Sequence, residues 1–364
     1  MDDLSHMRAA LGLARRRLGS VWPNPAVGSV IVRDGRVAGR GATAPGGRPH
    51  AETEALAMAG AAARGATAYV TMEPCSHHGQ TPPCAEALIA AGVARVVVAA
   101  RDPDPRVNGS GIARMRAAGI AVEEGLLGAE AEQLNEGFFS RVRRGRPMLT
   151  LKLAATLDGR IATHGGESQW ITGEAARRAA HALRGSHDAV MVGVGTVLAD
   201  DPALTCRLPG FRADNPVRVI ADSHLRTRLT SDVVANARAV PTWLLASPTA
   251  DAGRRRALET TGVSVLTVPA GPMGIDMAEA LAALGASGIT RLLVEGGAQL
   301  AASLLRADLV DRIAWFAAPA VMGADGWPAA AAFGIDRLDA MPRFVRTAVR
   351  ELGADTLSEL RKPA

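Results

Sequence analysis

The stretch Glu73-Pro-Cys75-Ser-His-His-Gly-Gln-Thr-Pro-Pro-Cys84, with His50-Ala-Glu52 upstream of it, decides the fold of the first half of this chain. His50, Cys75 and Cys84 are three good zinc ligands. A zinc site with three protein ligands keeps an open position and is the catalytic kind, whereas a fourth protein ligand closes it. Glu52 is close enough to His50 to carry protons at such a site. The stretch therefore predicts a catalytic zinc centre.

The order of these residues is similar to the zinc-deaminase pattern H-x-E…P-C-x-x-C, in which one His and two Cys hold the metal and the Glu moves protons. Here eight residues rather than two separate the cysteines. We expect His50 and Glu52 in the first turn of a helix over 50–64. Cys84 should begin a second helix, where a thiol ionises more easily. The alternatives are a structural zinc site with His77 or His78 as fourth ligand, and buried cysteines beside an incidental histidine.

Length and composition limit the classes of protein. A chain of 364 residues is expected to form two domains. Three cysteines, two of them assigned to the metal, argue for a reducing compartment, and we expect a cytoplasmic protein. We find no signal peptide and no apolar run of membrane-spanning length. The net charge is +5, but aromatics make up 3% and no basic run alternates with them, so we expect neither a nucleic-acid nor a membrane partner.

Residues 1–145 alternate between helical and extended patterns, which predicts a layered α/β domain with a mixed sheet. A hairpin around Asp34-Gly35 is the strongest local turn signal. The main predicted helices are 4–18 (with Ser5 as a possible cap), 50–64, 85–91, 110–118 and 129–142, and the main predicted strands are 27–33, 36–41, 67–72, 95–100 and 120–123.

Residues 146–364 begin a second α/β pattern, which predicts a separate domain. The predicted strands are 148–154, 189–194, 217–221, 242–246, 263–268, 291–294 and 312–317, with a closing hairpin over 344–360. Helices are predicted at 173–183, 252–261, 276–284 and 299–306.

Two glycine turns in the second half each join a strand to a helix. Gly296-Gly297 precedes a helix and would present bare N–H groups to phosphate. Val192-Gly193-Val-Gly195-Thr196 resembles a dinucleotide fingerprint but lacks its third glycine. Either turn could also be an ordinary strand–helix joint. Together they predict a nucleotide-sized cleft.

Two further residues have both a functional and a structural interpretation. Of 41 basic residues only Lys152 and Lys362 are lysines, and Lys152 lies within a predicted strand. A compact ammonium charge is not interchangeable with a guanidinium. In a chain that otherwise uses Arg, this favours a functional role for Lys152, and the alternative is that a lysine occurs there by chance. Asn24, between two prolines, could point its amide at a substrate ring or belong to a rigid turn.

Taken together, these motifs closely resemble the bifunctional riboflavin-biosynthesis deaminase/reductase family. The resemblance extends through Leu157-Asp158-Gly159, Ser168-Gln-Trp170, Asp200-Asp-Pro-Ala-Leu204-Thr-Cys-Arg207 and Glu295-Gly-Gly297. It covers nearly the whole chain, and the wide spacing of Cys75 and Cys84 is itself typical of that family. The resemblance implies a cytidine-deaminase-like three-layer α/β/α domain over 1–145 and a dihydrofolate-reductase-like α/β domain over 146–364.

The resemblance also implies two reactions on one phosphoribosyl pyrimidine: zinc-dependent deamination of 2,5-diamino-6-ribosylamino-4-pyrimidinone 5′-phosphate, then NADPH-dependent reduction of its ribose to ribityl. Glu52 and Lys152 would serve the chemistry. The implied substrate contacts are Asn24, Ser168, Arg184, Leu204, Arg207 and Glu295, with Arg184 and Arg207 facing the phosphate. The implied NADPH contacts are Ala154, Trp170, Thr196, Asp200, Ser223, Gly297, Ala298, Gln299, Leu300, Ala301, Ala302 and Ser303.

Two rival functions stay open at this point. One is a zinc deaminase of another nucleoside or of a tRNA base, with a non-catalytic second domain. The other is a basic nucleic-acid-binding protein with a structural zinc, which predicts a steep salt dependence of binding. A homo-oligomer is possible under each interpretation.

Overall fold

The computed structural model describes residues 2–77, 82–211, 214–271 and 274–363. Contacts between Cα atoms divide the chain into two compact units, Met1–Gly145 and Arg146–Ala364. Within the described ranges, no helix is both long enough and apolar enough to cross a membrane.

The first unit is built on a five-stranded mixed sheet with the order β2-β1-β3-β4-β5. β1 pairs antiparallel with both β2 and β3, whereas β3, β4 and β5 run parallel. The elements are α1 (Asp3–Arg15), β1 (Gly28–Arg33), β2 (Arg36–Ala42), α2 (Ala51–Ala59), β3 (Thr67–Met72), α3 (Cys84–Ala90), β4 (Arg95–Ala100), α4 (Ser110–Ala117), β5 (Ala121–Glu124), α5 (Gly128–Leu134) and α6 (Glu136–Arg144).

Glycines at points of close approach place helices on both faces of this sheet. A Cβ at Gly28 would overlap the Ala10 carbonyl of α1, and a Cβ at Gly41 would overlap the Ala51 carbonyl of α2. Gly41 is the register partner of Ser29, the residue after Gly28. Because neighbouring residues of a strand point to opposite faces, α1 and α2 cover opposite faces of the sheet. The first unit is therefore a three-layer α/β/α structure, as expected.

The second unit contains a nine-stranded sheet with the order β11-β10-β9-β8-β14-β6-β15-β18-β17 and two small two-stranded sheets. Its strands are β6 (Met148–Ala155), β7 (Arg160–Ala162), β8 (Ala189–Gly193), β9 (Val217–Ala221), β10 (Thr242–Ala246), β11 (Ser264–Thr267), β12 (Ala270–Gly271), β13 (Gly274–Ile275), β14 (Arg291–Glu295), β15 (Arg312–Ala317), β16 (Trp327–Pro328), β17 (Val345–Leu352) and β18 (Asp355–Arg361). Its helices are α7 (Glu174–Gly185), α8 (Val194–Asp200), α9 (Asp232–Ala235), α10 (Ala252–Thr260), α11 (Met277–Ala286) and α12 (Ala298–Arg306).

The order of the central strands creates a crevice at one edge of this large sheet. β14 lies between β6 and β8, and all three run parallel with β9. Chain connections therefore leave the centre of the sheet in opposite directions. In α/β sheets, ligands bind at such a point, in the crevice outside the carboxyl ends of the strands. The residues that follow β6, β8, β9 and β14 meet at this edge.

Several predicted helix boundaries are wrong. The first helix begins at Asp3 and ends at Arg15, and its cap is Asp2, which accepts the N–H of Ser5 at 2.9 Å. The predicted helix over 129–142 is two helices separated at Asn135. The buried amide of Asn135 bonds the N–H and the carbonyl of Ala26 at 2.8 and 3.0 Å, a distant contact that no local pattern reports.

Candidate active sites

The three predicted zinc ligands converge in the first unit. The possible ligand atoms of His50, Cys75 and Cys84 all lie within 4.8 Å of one another. His50 Nδ1 is 3.3 Å from Cys84 Sγ and 3.7 Å from Cys75 Sγ. His50 is the N-cap of α2 rather than part of its first turn, and Cys84 is the first residue of α3. Cys75 lies in the loop between β3 and α3.

These separations fit a tetrahedral zinc ion. Zn–N and Zn–S bonds of about 2.0 and 2.3 Å place tetrahedral N and S ligands roughly 3.5 Å apart. The observed N···S distances of 3.3 and 3.7 Å bracket that value. Two sulfurs and one imidazole nitrogen also match the donor types that zinc prefers. The residues present therefore suit a zinc ion with three protein ligands.

The two thiols of the cluster have opposite pKa shifts. The hydrogen bond with Cys84 lowers the pKa of Cys75 to about 4, and the same contact, together with burial, raises the pKa of Cys84. Cys75 Sγ also accepts the backbone N–H of Cys84 at 3.3 Å. Cys75 is therefore the more acidic thiol, although Cys84 occupies the helix start that we expected to favour ionisation. Zinc requires both sulfurs as thiolates, so zinc binding releases the proton that Cys84 carries in the free protein.

The described residues offer no fourth ligand in this cluster. His77, one candidate for a closed structural site, is not among the grouped ligand atoms. The other candidate, His78, lies outside the described residues. The arrangement over the described residues is that of an open, catalytic site.

Glu52 is buried beside the metal ligands, on the first turn of α2. Its residue surface is 3% exposed. Burial raises the pKa of Glu52 from 4.5 to about 7, against the charge of His50, which lowers it. A carboxyl group with a pKa near the working pH can both accept and donate a proton, as a general acid–base must.

Asn24 has a structural contact close to the same site. Its Nδ2 donates to the carbonyl of Gly47 at 3.1 Å, three residues before His50. A Cβ at Gly47 would overlap the amide of Asn24, so the two segments touch. The amide thus supports the segment that leads into His50, and its substrate contact stays a prediction.

In the second unit, three predicted residues form a buried charged cluster. Arg184 donates through Nε and Nη2 to the two carboxylate oxygens of Glu295, at 2.5 and 2.9 Å. Lys152 Nζ lies 3.9 Å from the same carboxylate. Burial by itself raises the pKa of Glu295, but the charge and hydrogen bonds of Arg184, with Lys152, lower it to about 2. Burial lowers the pKa of Lys152, and the charge of Glu295 opposes that effect.

The guanidinium of Arg184 is thus engaged by protein groups, since its Nη1 also donates to the Thr205 carbonyl at 3.1 Å. Arg207 differs: its side chain is exposed and forms no ion pair with a residue that the structure describes. Leu204 is buried and has a φ of +54°, so the chain turns just before Thr205 and Arg207. Ser168 is half-buried in the segment after β7.

His181 joins this cluster, and its only sequence signal is a spacing of one helical turn from Arg184. Its Nδ1 lies 3.2 Å from the Thr205 carbonyl and 3.2 Å from the Arg207 backbone nitrogen. Cys206 Sγ donates to the His181 carbonyl at 3.2 Å. Helix α7 therefore holds the segment that carries Arg207.

The two glycine turns of the second unit face each other. Gly296 and Gly297 both have positive φ, and Thr196 Oγ1 lies within 3.9 Å of where a Cβ would stand on either residue. Gly297 is the N-cap of α12 and offers no side-chain cap. The first N–H groups of a helix have no intrahelical partner and favour anions. The turn is a suitable cradle for phosphate.

The predicted contacts along α12 divide into two groups. Ala298 and Gln299 stand in the first turn. The N–H of Ala301 already bonds the Gly297 carbonyl at 2.9 Å, and the following residues lie further along the helix. Side chains of Leu300, Ala301 and Ala302 are buried, at 8, 1 and 2% exposure, and Ser303 is half-buried. Phosphate contact is therefore best served by the turn and the first helical residues.

The other predicted cofactor residues are distributed over several elements of the second unit. Ala154 is near the end of β6, Asp200 is the last residue of α8, and Ser223 follows β9. The Ser223 hydroxyl accepts the N–H of Ile275 at 3.1 Å. Trp170 is 67% exposed, with the Arg177 guanidinium 4.9 Å from its ring centre.

Fold and site together define a zinc-dependent deaminase unit followed by a reductase unit. Comparison with known families agrees: residues 1–100 match the cytidine and deoxycytidylate deaminase zinc-binding region, and residues 147–357 match the RibD C-terminal domain. The riboflavin biosynthesis protein RibD of Escherichia coli K12 is 44% identical over 371 residues, covering 99% of both chains. That of Bacillus amyloliquefaciens is 42% identical, covering 96% of this chain and 94% of its own.

The chain belongs to the RibD family of riboflavin-biosynthesis proteins. A solved structure of Acinetobacter baumannii RibD is similar over 100% of this chain and 99% of its own, with a TM-score of 0.90 and 38% identity. A Thermotoga maritima deaminase/reductase is similar over 99 and 98%, with a TM-score of 0.86 and 35% identity. The protein is a bifunctional deaminase and reductase that uses zinc and NADPH. The predicted cytidine-deaminase-like and dihydrofolate-reductase-like folds are confirmed.

Proposed function

We propose that this protein deaminates 2,5-diamino-6-ribosylamino-4-pyrimidinone 5′-phosphate and then reduces the ribosyl side chain of the product. The Thermotoga maritima protein is described as a diaminohydroxyphosphoribosylaminopyrimidine deaminase/5-amino-6-(5-phosphoribosylamino)uracil reductase, which names both steps. The observation that carries the proposal is the cluster of His50, Cys75 and Cys84 beside the buried Glu52. We assign the two catalytic domains to residues 1–145 and 146–364, the two compact units.

In the first domain, His50, Cys75 and Cys84 would hold zinc. Zinc with three protein ligands supplies Lewis acidity and activates water. Glu52 would take a proton from the attacking water and deliver it to the departing ammonia. Burial of Glu52 raises its pKa, which suits a group that must donate a proton as well as accept one.

In the second domain, the crevice at the carboxyl ends of β6, β8, β9 and β14 would bind NADPH. The cofactor supplies a hydride when bound. The Gly296-Gly297 turn and the start of α12 would receive its phosphates, and Thr196 stands next to that turn. Ala154, Trp170, Asp200 and Ser223 would complete the surroundings.

Arg207 is the residue we assign to the substrate phosphate. Its side chain is exposed, and a guanidinium binds two phosphate oxygens at once. Lys152 and Glu295 would face the reacting ribose, with Ser168 and Leu204 at its edges. We assign to Arg184 the task of holding Glu295, since both carboxylate oxygens accept hydrogen bonds from it.

The rival functions lose support. A deaminase of another nucleoside or of tRNA would leave the second domain without a catalytic task, whereas that domain matches the RibD C-terminal domain over residues 147–357. A structural zinc site needs a fourth ligand, and the described residues supply none in the cluster. The proposed substrate is a small molecule, and the proposal requires neither nucleic acid nor membrane.

The test is to supply the diaminopyrimidine phosphate with and without NADPH while ammonia release and NADPH absorbance are followed together. Ammonia should appear without NADPH, and NADPH should be oxidised only after deamination. The proposal fails if ammonia is released from cytidine or RNA instead, with no oxidation of NADPH at any stage.

A further inference from the structure

Glu73 stands two residues before Cys75 and has no task in the chemistry described above. We propose that Glu73 is a positioning residue for the zinc ligand Cys75, acting by binding the loop after β3 to the start of α4. The inference rests on the proposed ligand set. Glu73 is not part of the ligand cluster itself.

The carboxylate of Glu73 is almost wholly buried and accepts four backbone N–H groups. Its exposed fraction is 4%. Oε1 accepts from Gly111 at 3.0 Å and Ile112 at 3.3 Å, and Oε2 accepts from Gly109 at 2.8 Å and Asp102 at 3.4 Å. Gly109 is the N-cap of α4, so three of these donors belong to the start of that helix. A negative charge at a helix N-terminus is favourable.

The residues on either side of Cys75 touch the same helix start. A Cβ at Gly111 would overlap the carbonyl of Pro74, so only glycine allows α4 to approach so closely. The hydroxyls of Ser76 and Ser110 are 2.6 Å apart. Cys75 itself is attached to α3, because its carbonyl accepts the N–H of Ala85 at 3.1 Å and its sulfur accepts that of Cys84. Cys75 is thus held between two helix starts.

Within the described part of the chain, Glu73 forms no ion pair with a basic side chain. The four backbone N–H groups are its hydrogen-bond donors, and the charge of Arg101 adds a weaker electrostatic interaction. Glutamine has the same shape, but its amide nitrogen cannot accept a hydrogen bond. Glu73→Gln therefore turns one oxygen with two donors into an NH₂ group that faces those donors. The loop must shift, and the sulfur of Cys75 must shift with it.

The test measures how fast zinc leaves the full-length holoenzyme in the presence of a chelator. Glu73→Gln should lose zinc at least about tenfold faster than wild type, the lower end of the effect of losing a supporting contact around a metal site. Glu54→Gln, an exposed carboxylate on α2, is the matched control and should lose zinc at the wild-type rate. Deamination should fall in kcat, in step with zinc content, with KM unchanged. Zinc loss from Glu73→Gln at the wild-type rate overturns the proposal.

Two further measurements keep the outcome decisive. If Glu73→Gln does not fold, hydrogen–deuterium exchange of the wild type replaces it. Removing zinc should speed exchange of the Gly109, Gly111 and Ile112 amides, since coupling between two sites is reciprocal; unchanged exchange overturns the proposal. Cys75→Ser separates the two hypotheses. Zinc retained by Cys75→Ser refutes the ligand assignment, whereas zinc retained by Glu73→Gln alone refutes only the positioning role.

Discussion

Replacing Arg184 by alanine decides whether this residue serves Glu295 or the substrate phosphate. Arg184 donates two hydrogen bonds to Glu295, at 2.5 and 2.9 Å. Without it, the Glu295 carboxylate, whose side chain is 9% exposed, keeps Lys152 at 3.9 Å and, as a weaker neighbour, the imidazole of His181. We expect Arg184→Ala to destabilise the second unit and to lower kcat for reduction.

The size of the effect follows from the pKa of Glu295, which is lowered from 4.5 to about 2. At about 1.36 kcal/mol for each tenfold change in the acid dissociation constant, that lowering corresponds to about 3 kcal/mol, which Arg184 shares with Lys152 and His181. Removing one partner of a buried ion pair costs about 3–5 kcal/mol in general, which agrees. A lowered carboxyl pKa stabilises the fold fully above pH about 4.5, and this contribution is lost as the pH falls through about 2.

The assay is urea unfolding at pH 8 and pH 5, followed by hydrogen exchange of the β14 amides. In Arg184→Ala, burial raises the pKa of Glu295, so that the carboxyl group takes up a proton at pH 5. The protonated group is neutral and no longer leaves an unpaired charge buried in the variant. The loss of stability should therefore be larger at pH 8. Arg207→Ala, on the exposed neighbouring arginine, is the control and should unfold like wild type at both pH values. If Arg184→Ala is as stable as wild type and only its KM for the reductase substrate rises, the reasoning is refuted and Arg184 binds the substrate phosphate instead.

Four other outcomes are expected. Glu52→Ala should keep zinc but lose deamination by about 10²–10⁴-fold, since it removes the general acid–base; retained turnover removes Glu52 from the mechanism. Arg207→Ala should mainly raise KM for the reductase substrate, and an unchanged KM means that Arg207 is structural. Chelation of zinc should stop ammonia release yet leave NADPH oxidation intact when the deaminated intermediate is supplied; a parallel loss of both activities contradicts independent sites. Burial lowers the pKa of His187 from 6.5 to about 3, so the unfolded chain binds more protons in that window and stability should fall as the pH drops below about 6.5. His187→Gln should flatten this dependence in acid-unfolding curves, and an unaltered slope contradicts the assignment to His187.

Buried parallel strands were predictable from local sequence. The strands over 67–72, 95–100, 217–221, 242–246 and 312–317 have the predicted bounds. The first four are short apolar runs between turn residues and are buried on both faces, so they show an unbroken apolar run instead of an alternating pattern. The strand over 312–317 is only partly buried. Helix ends were less predictable, because capping depends on single side-chain contacts such as that of Asp2 with Ser5.

The zinc ligands were also within reach of the sequence, because few residue types bind zinc and a catalytic site needs only three of them. The spacing of these ligands along the chain is enough to identify them without knowledge of the fold. The sequence also predicts the proton-transfer role of Glu52, from its place two residues after His50.

What the tertiary structure alone decided is which groups the buried charges contact. Arg184 and Glu295 are 111 residues apart, and Glu73 meets Gly109 across 36 residues. A buried carboxylate must find partners, because an unpaired charge away from water is costly. The sequence shows which residues are charged, but the packing of elements that are distant in sequence determines which partner each charge contacts. Residue chemistry therefore determined the reaction, and the fold determined which side chains perform it and which hold the others in place.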